Sequence, residues 1–206
     1  MAKKEENISL FLQVALKNFI KDGIYEAKVR DIAKQVGITE RTAFRYFETK
    51  TDMVFASLKL LWHNYLEKIE EDYHKLDLNS STSYEKIVSV LRLYGNLYLT
   101  DAKQLLFVEE AESYLTRNGI NIYENNRFPI DTNDISPLAE VLKDPSVIVD
   151  LNKSIDLELT YYNTFDGLLG FMQKLSVEFT NKRINEEKAK KRLEAFTSLL
   201  AKSFLK

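Results

Sequence analysis

Apolar residues recur every three or four positions along most of the chain, which is the pattern of amphipathic helices. The first stripe consists of Ile8, Phe11, Leu12, Ala15, Leu16 and Phe19. Gly23 follows it as the expected helix stop, and the pattern predicts a second short helix over about 29–36 that Gly37 ends. Thr39 stands where a helix cap belongs, so a third helix is expected to run to about residue 47.

The rest of the chain continues as further amphipathic helices. The pattern predicts helices after Thr49 and at about 84–99, 102–117, 153–181 and 185–205, with Asp101 as a cap. Ser136-Pro137 and Asp144-Pro145 each join a capping side chain to a proline, a combination that begins helices. The segment 118–135 has no periodicity and is predicted to be a loop.

Composition favours an all-α fold, because the 206 residues include only six Gly and three Pro. The prediction is a three-helix head at about 1–49 and a six-helix body at about 50–206. No run approaches the roughly 20 apolar residues that span a bilayer, and the N-terminus lacks the apolar core of a signal peptide. We therefore expect a cytoplasmic protein without a membrane partner.

Basic residues concentrate near the N-terminus of an otherwise acidic chain. The net charge is −2, yet residues 28–50 hold six basic and three acidic side chains. Such a patch would orient the molecule on a polyanion. The same stretch reads as helix, glycine turn, helix, which is the arrangement of a DNA-binding helix-turn-helix motif.

Residues 8–55 resemble the DNA-binding domain of the TetR/AcrR family of bacterial repressors. The resemblance rests on Gly23, Asp31-Ile32-Ala33, Val36-Gly37-Ile38-Thr39, Arg45-Tyr46-Phe47 and Lys50. It implies a two-fold dimer that represses transcription from a palindromic operator in double-stranded DNA. It also implies a C-terminal domain that dimerises and binds a small-molecule effector, which would change the spacing of the two heads.

Candidate phosphate contacts lie on and around the third helix. The resemblance implies that hydroxyl and lysine side chains at these positions grip phosphates and so fix the register of the protein on the duplex. These residues are Thr39, Thr42, Tyr46 and Lys50. Ala27 and Lys28 stand where the family usually has Thr and Ser, so Lys28 is expected to replace a hydroxyl contact by a lysine one.

Four charged residues are candidates for reading base edges. Arginine pairs bidentately with guanine, and glutamate accepts a hydrogen bond from cytosine. The candidates are Arg30, Arg41, Arg45 and Glu40. Arg30 and Arg45 could equally contact phosphates. Phe44 occupies the family's usual tyrosine position and could meet a thymine methyl or pack against the sugar-phosphate backbone.

Aromatic residues are frequent beyond residue 56 and supply candidates for the effector site. Aromatic walls with a few polar groups suit an apolar or a cationic aromatic ligand. The candidate ligand residues are Trp62, Tyr65, Tyr94, Tyr98, Phe107 and Tyr162, with Asn96, Glu109 and Asn163 as polar partners. The alternative for each aromatic side chain is a place in the hydrophobic core.

The last two helices carry apolar residues at alternating spacings of three and four, which is typical of helices packed nearly parallel. The predicted dimer seam consists of Tyr161, Phe165, Leu168, Met172, Leu175, Leu193, Phe196 and Leu200. The alternative is that these stripes face the domain's own core, because periodicity does not distinguish a partner from the protomer itself.

Patterns of catalysis and metal binding are missing from the sequence. It has no Cys, and its two histidines, His63 and His74, would lie ~16 Å apart along one helix. We expect neither an enzyme nor a cofactor or metal site. Two alternatives to an effector-controlled repressor stay open. One is a helix-turn-helix protein that a protein partner controls or that serves the nucleoid or cell division, and the other is a helical adaptor that does not bind DNA.

Overall fold

The computed structural model of the protein describes residues 2–100, 102–122 and 136–206, with residues 2–3 and 97–100 described by their backbone alone. The helices are α1 (Ala2–Asp22), α2 (Val29–Gln35), α3 (Glu40–Tyr46), α4 (Lys50–Tyr73), α5 (Ser83–Thr100), α6 (Ala102–Arg117), α7 (Pro137–Lys143), α8 (Pro145–Ile148), α9 (Leu157–Thr180) and α10 (Glu186–Ser203). The predicted all-α fold is confirmed. Asp101 and most of the predicted loop, 123–135, lie outside the described residues.

Capping side chains start several helices where the sequence predicts them. Ser136 Oγ accepts a hydrogen bond from Ala139 N at 3.1 Å, and Asp144 Oδ1 accepts one from Ser146 N at 2.8 Å. Each cap is followed by a proline whose missing N–H needs no partner there. Because α7 and α8 are separate helices, the described chain beyond residue 49 contains seven helices, one more than predicted.

Two compact units divide the chain, and their limits differ from the predicted boundary at residue 49. Unit 1 comprises 1–65 and 106–131, and unit 2 comprises 66–105 and 132–206. Helices α4 and α6 therefore contribute residues to both units. In the described part of the chain, no helix is both long and apolar enough to cross a membrane.

Unit 1 holds helices α1 to α3, with α1 against α2 and α2 against α3. The rings of Phe11 and Phe47 stack at 5.7 Å, and those of Phe19 and Phe107 stack at 6.1 Å. Ala33 and Ala43 are fully buried, because only a small side chain fits where these helices meet. Gly37 adopts a φ of +71°, which allows the turn between α2 and α3.

In unit 2, helix α5 packs against α7, α9 and α10. Lys86 of α5 is buried and its Nζ donates to Asp144 Oδ2 at 2.7 Å and to Ser146 Oγ at 2.8 Å. This ion pair compensates the burial of the ammonium group and fixes α5 to the start of α8. Ser83 Oγ donates to Asp150 Oδ2 at 2.6 Å, which gives the beginning of α5 a second polar anchor.

The predicted dimer seam lies largely inside unit 2. Tyr161, Leu168, Met172, Leu175 and Leu193 are all at most 8% exposed, because α9 and α10 direct this stripe to the core they share with α5. A side chain buried within the protomer has no surface to offer a second copy. For these five residues the core alternative is the correct one.

Candidate nucleic-acid interface

Helix α3 begins at a threonine pair that is both structural and exposed. Thr39 Oγ1 accepts a hydrogen bond from Thr42 N at 3.1 Å and lies 2.9 Å from Thr42 Oγ1. One hydroxyl donates to the other in this pair, so one O–H remains to donate outward. The pair thus starts α3 and keeps a donor that suits a phosphate oxygen, as the sequence predicts for these residues.

The exposed face of α3 carries the candidate base readers. Glu40, Arg41 and Arg45 are exposed, and Phe44 is 40% exposed, while Ala43 on the opposite face is buried. The guanidinium of Arg45 lies 5.7 Å from the centroid of the Tyr46 ring, within cation–π distance. The buried side fixes the helix, so the charged side faces solvent.

The start of α2 adds two exposed cations. Lys28 occupies the N-cap position, and its side chain makes no capping hydrogen bond, which agrees with the departure from the family pattern. Arg30 is exposed in the first turn of α2. Among the described residues, no carboxylate forms an ion pair with Lys28, Arg30, Arg41 or Arg45. No carboxylate of this part of the chain neutralises these four charges, so they are available to an external anion.

Lys50 opens α4 and is less free than the other candidates. Thr49 and Asp52 start this helix with a reciprocal pair of hydrogen bonds, Thr49 N to Asp52 Oδ2 at 2.8 Å and Asp52 N to Thr49 Oγ1 at 3.1 Å. Lys50 is half-buried, and its Nζ lies 3.5 Å from the carbonyl oxygen of Tyr25. Burial lowers the pKa of Lys50, while the carboxylates of Glu110 and Glu26 oppose that effect.

Glu110 of α6 is a neighbour of this surface that the sequence did not indicate. Ile24 N donates to both of its carboxylate oxygens, at 2.9 and 3.0 Å. The two residues lie 86 positions apart in the chain. No local pattern could have found a bond between a backbone amide and a side chain so distant in the chain.

The six candidate ligand residues are divided between the two units. Trp62 and Tyr65 are buried edge to face in unit 1 at 5.8 Å. Phe107 also belongs to unit 1 and stacks on Phe19, which gives it a packing role. Tyr94 is buried in unit 2, Tyr162 is 42% exposed there, and the side chain of Tyr98 lies outside the description.

An aromatic cluster with polar groups lies within unit 2. Phe165 receives Tyr94 and Tyr161 edge to face, both at 4.9 Å between ring centroids. The hydroxyl oxygens of Tyr161 and Ser136 are 2.5 Å apart. Burial raises the pKa of Tyr94 and of Tyr161, so both phenols are neutral at pH 7. The cluster therefore offers apolar faces and neutral hydroxyl groups.

The polar candidates and the remaining seam residues lie nearer the surface. Asn96, Glu109 and Asn163 are exposed, and Phe165, Phe196 and Leu200 are half-buried. The large apolar side chains that α9 and α10 leave exposed are Leu157, Leu159, Tyr162, Phe179 and Leu199. Across residues 2–100, 102–122 and 136–206, no three His, Cys, Asp or Glu side chains form a group that could hold a metal ion.

The helices around α3 are similar to those of a known protein family. Residues 11–57 match the family model of bacterial regulatory proteins, tetR family. The fatty acid metabolism regulator protein of Bacillus subtilis (strain 168) is 26% identical to this chain over 101 residues. That alignment covers 49% of this chain and 50% of the relative, so the chain spans half the length of the curated relative it matches.

Solved structures share the fold over nearly the whole chain. The transcriptional regulator FadR from Bacillus subtilis, in complex with stearoyl-CoA, is 17% identical with a TM-score of 0.59, covering 96% of this chain and 99% of that one. The fatty acid degradation regulator FadR from Bacillus halodurans is 15% identical with a TM-score of 0.61, covering 94% and 93%. A TetR family transcription regulator from Marinobacter aquaeolei VT8 is 14% identical with a TM-score of 0.61, covering 100% and 99%.

Proposed function

Since this chain is a member of the tetR family of bacterial regulatory proteins, we propose that it is a cytoplasmic, dimeric repressor that reads a palindromic operator and leaves it when a small molecule binds. It acts by binding and not by catalysis. The observation that carries the proposal is the exposed face of α3, where no carboxylate of the described residues pairs with Arg41 or Arg45 and the opposite side of the helix is buried.

Two groups of side chains divide the work of DNA binding. Arg30, Arg41, Arg45 and Glu40 read base edges, and Phe44 meets a thymine methyl or a sugar. The remaining contacts hold phosphates and are made by Lys28, Thr39, Thr42, Tyr46 and Lys50. The outward O–H of the threonine pair and the exposed cations at the start of α2 and on α3 support this division.

Dimerisation uses the exposed sides of α9 and α10. Leu159, Tyr162, Phe179 and Leu199 are between 39% and 63% exposed, and burying them against a second copy would remove apolar surface from water. Three further residues of these two helices are half-buried, namely Phe165, Phe196 and Leu200. A dimer places two weak reading heads on one operator, so the second head binds at a high local concentration.

A long-chain acyl thioester is the effector class that we propose to test first. The curated relative regulates fatty acid metabolism by its name, and one similar structure holds stearoyl-CoA. In unit 2 the cluster of Tyr94, Tyr161, Phe165 and Ser136 supplies apolar faces beside hydroxyl groups, which suits an acyl chain that ends in a polar group. Trp62 and Tyr65 remain candidate ligand residues within unit 1.

Selection of bound sequences from a random duplex pool at physiological salt tests the proposal. The Arg41→Ala/Arg45→Ala double variant is selected in parallel. We expect the wild type alone to recover an inverted repeat, and stearoyl-CoA to release it while free coenzyme A does not. If the protein selects an inverted repeat but stays bound to it in the presence of stearoyl-CoA, the result favours control by a protein partner. Equal, salt-independent failure of both proteins to bind DNA favours the adaptor alternative.

A further inference from the structure

The turn between α1 and α2 is held by one face of α6. Three residues of α6 at successive turns touch it or the end of α1. Phe107 stacks on Phe19, and Tyr114 meets Tyr25 edge to face at 5.6 Å. Between them, the Glu110 carboxylate receives the Ile24 amide on both oxygens.

The hydrogen bonds of Glu110 are the polar part of this contact. Ile24 is fully buried, so its amide has no access to bulk water and depends on the carboxylate for an acceptor. A charged acceptor strengthens such a bond. Gly23 has a φ of +83°, and a Cβ at this position would lie 3.5 Å from Glu110 Oε2. The positive φ is what requires glycine at this turn, because a Cβ at 3.5 Å would be in ordinary van der Waals contact with the carboxylate.

The same turn continues directly into the reading helices. Ala27 N donates to Gly23 O at 3.1 Å, and the side chains of Ala27 and Val29 are buried. Helix α2 begins at Val29, so only four residues separate it from Ile24, and one of them, Ala27, is held by the hydrogen bond to Gly23. Lys50 Nζ donates a hydrogen bond to the carbonyl oxygen of Tyr25 in the same turn.

We propose that Glu110 is a positioning residue for DNA reading: it ties the α1–α2 turn to α6 and so sets the placement of α2 and α3 on the operator. The inference rests on the proposed DNA binding. Glu110 touches the backbone of the turn, and its part in reading runs through that backbone. The opposing influence of Glu110 on the lowered pKa of Lys50 agrees with this, because it helps to keep the ammonium charged beside the turn.

The test compares Glu110→Ala and Glu110→Gln with Glu109→Ala, a matched control at the exposed neighbouring residue of α6. Exchange of the Ile24 amide is measured by NMR on the free protein. Affinity is measured for the selected inverted repeat and for a duplex of unrelated sequence. We expect Glu110→Ala to exchange this amide about tenfold faster and to bind the inverted repeat about tenfold more weakly, because a bond to a charged acceptor is lost.

Binding to the unrelated duplex is expected to stay as in the wild type, which separates a misplaced reading head from a loss of folded protein. Glu110→Gln keeps one acceptor oxygen, so it should retain most of the protection of the Ile24 amide and most of the affinity for the inverted repeat. It serves as the test if Glu110→Ala does not fold. The inference is overturned if Glu110→Ala and Glu110→Gln behave like Glu109→Ala while the wild type selects the repeat. If the wild type selects no sequence, the proposed function fails and the inference fails with it.

Discussion

Leu193 of α10 occupies the space that a side chain at Gly95 of α5 would need. A Cβ on Gly95 would stand 3.0 Å from Leu193 Cδ2 and 3.2 Å from its Cγ. Leu193 is buried and cannot turn outward. Because α5 and α10 form the main contact of unit 2, the absence of a side chain at residue 95 sets how closely these helices approach.

Gly95→Ala is therefore expected to destabilise the protein. Alanine favours a helix over glycine by about 1 kcal/mol, but overpacking a buried contact costs about 1–3 kcal/mol. The control is Gly167→Ala in α9, where the nearest neighbour, Phe196 Cζ, lies at an ordinary 3.8 Å. Thermal unfolding should show a lower Tm for Gly95→Ala and an unchanged or higher one for Gly167→Ala. If the two substitutions changed the Tm equally, the α5–α10 contact would accommodate the added methyl group at little cost.

The two classes of DNA contact predict different mutant behaviour. If Arg45 reads a base, Arg45→Ala should weaken binding to the preferred operator by about 1–3 kcal/mol. Its affinity for unrelated sequences should stay as in the wild type. Lys50→Ala should weaken binding to all sequences and lower the salt dependence by about one counter-ion. Fluorescence anisotropy over a salt series measures both. A uniform loss for Arg45→Ala would assign it to the phosphate group.

The exposed sides of α9 and α10 predict which substitutions separate the protomers. Leu199 is 63% exposed, so Leu199→Glu should leave the protomer folded and shift it from dimer to monomer in size-exclusion chromatography with light scattering. Leu168 is 1% exposed, and Leu168→Ala should cost about 2–5 kcal/mol of unfolding free energy while the folded fraction stays dimeric. If Leu168→Ala were monomeric and Leu199→Glu dimeric, the result would support the dimer seam predicted from the sequence instead.

Acid should reveal the ion pair between α5 and α8. Hydrogen bonds from Lys86, then from Ser146, lower the pKa of Asp144 from 3.8 to about 2. A carboxylate whose pKa is lowered by folding contributes stability above its unfolded pKa and loses it as pH falls through the folded value. The contribution of this pair should therefore disappear between about pH 4 and pH 2.

Urea unfolding of the wild type and Lys86→Met over this range measures the effect. The stability difference between them should shrink as pH falls from 4 to 2, because Lys86→Met removes the main cause of the shift. Lys202→Met, at an exposed lysine of α10, is the control and should differ from the wild type by a constant amount. A constant difference for Lys86→Met as well would contradict the assigned role of the pair.

Local signals were sufficient to predict the helices and the exposed face of α3. Gly23, Gly37 and Thr39 act on their own neighbours, so the end of α1 and the limits of α2 and α3 agree with the structure to within two residues. The proline-associated caps at Ser136 and Asp144 act in the same local way. The exposed face of α3 follows from the same periodicity, since Ala43 is buried and Arg41 is exposed.

Long-range relationships were beyond what the sequence could predict. The spacing of Leu168, Met172 and Leu175 was interpreted correctly as a packed seam, but periodicity does not say which surface covers it. Ile24 and Glu110 show the same limit, because neither residue type nor spacing relates positions 86 apart. The predicted boundary near residue 49 followed the family resemblance, whereas the compact units depend on which helices touch.

The composition of unit 1 affects the order in which the protein acquires its structure during synthesis. Helices α1 to α3 and the start of α4 are made first, but most of α6 belongs to the same unit and follows residues 66–105. At roughly 5–20 residues per second, those 40 residues delay α6 by about 2–8 s. For that interval Phe19 lacks its stacking partner and the Ile24 amide lacks its acceptor. The head of the nascent chain therefore reaches its DNA-reading form only after more than half of the protein has been translated.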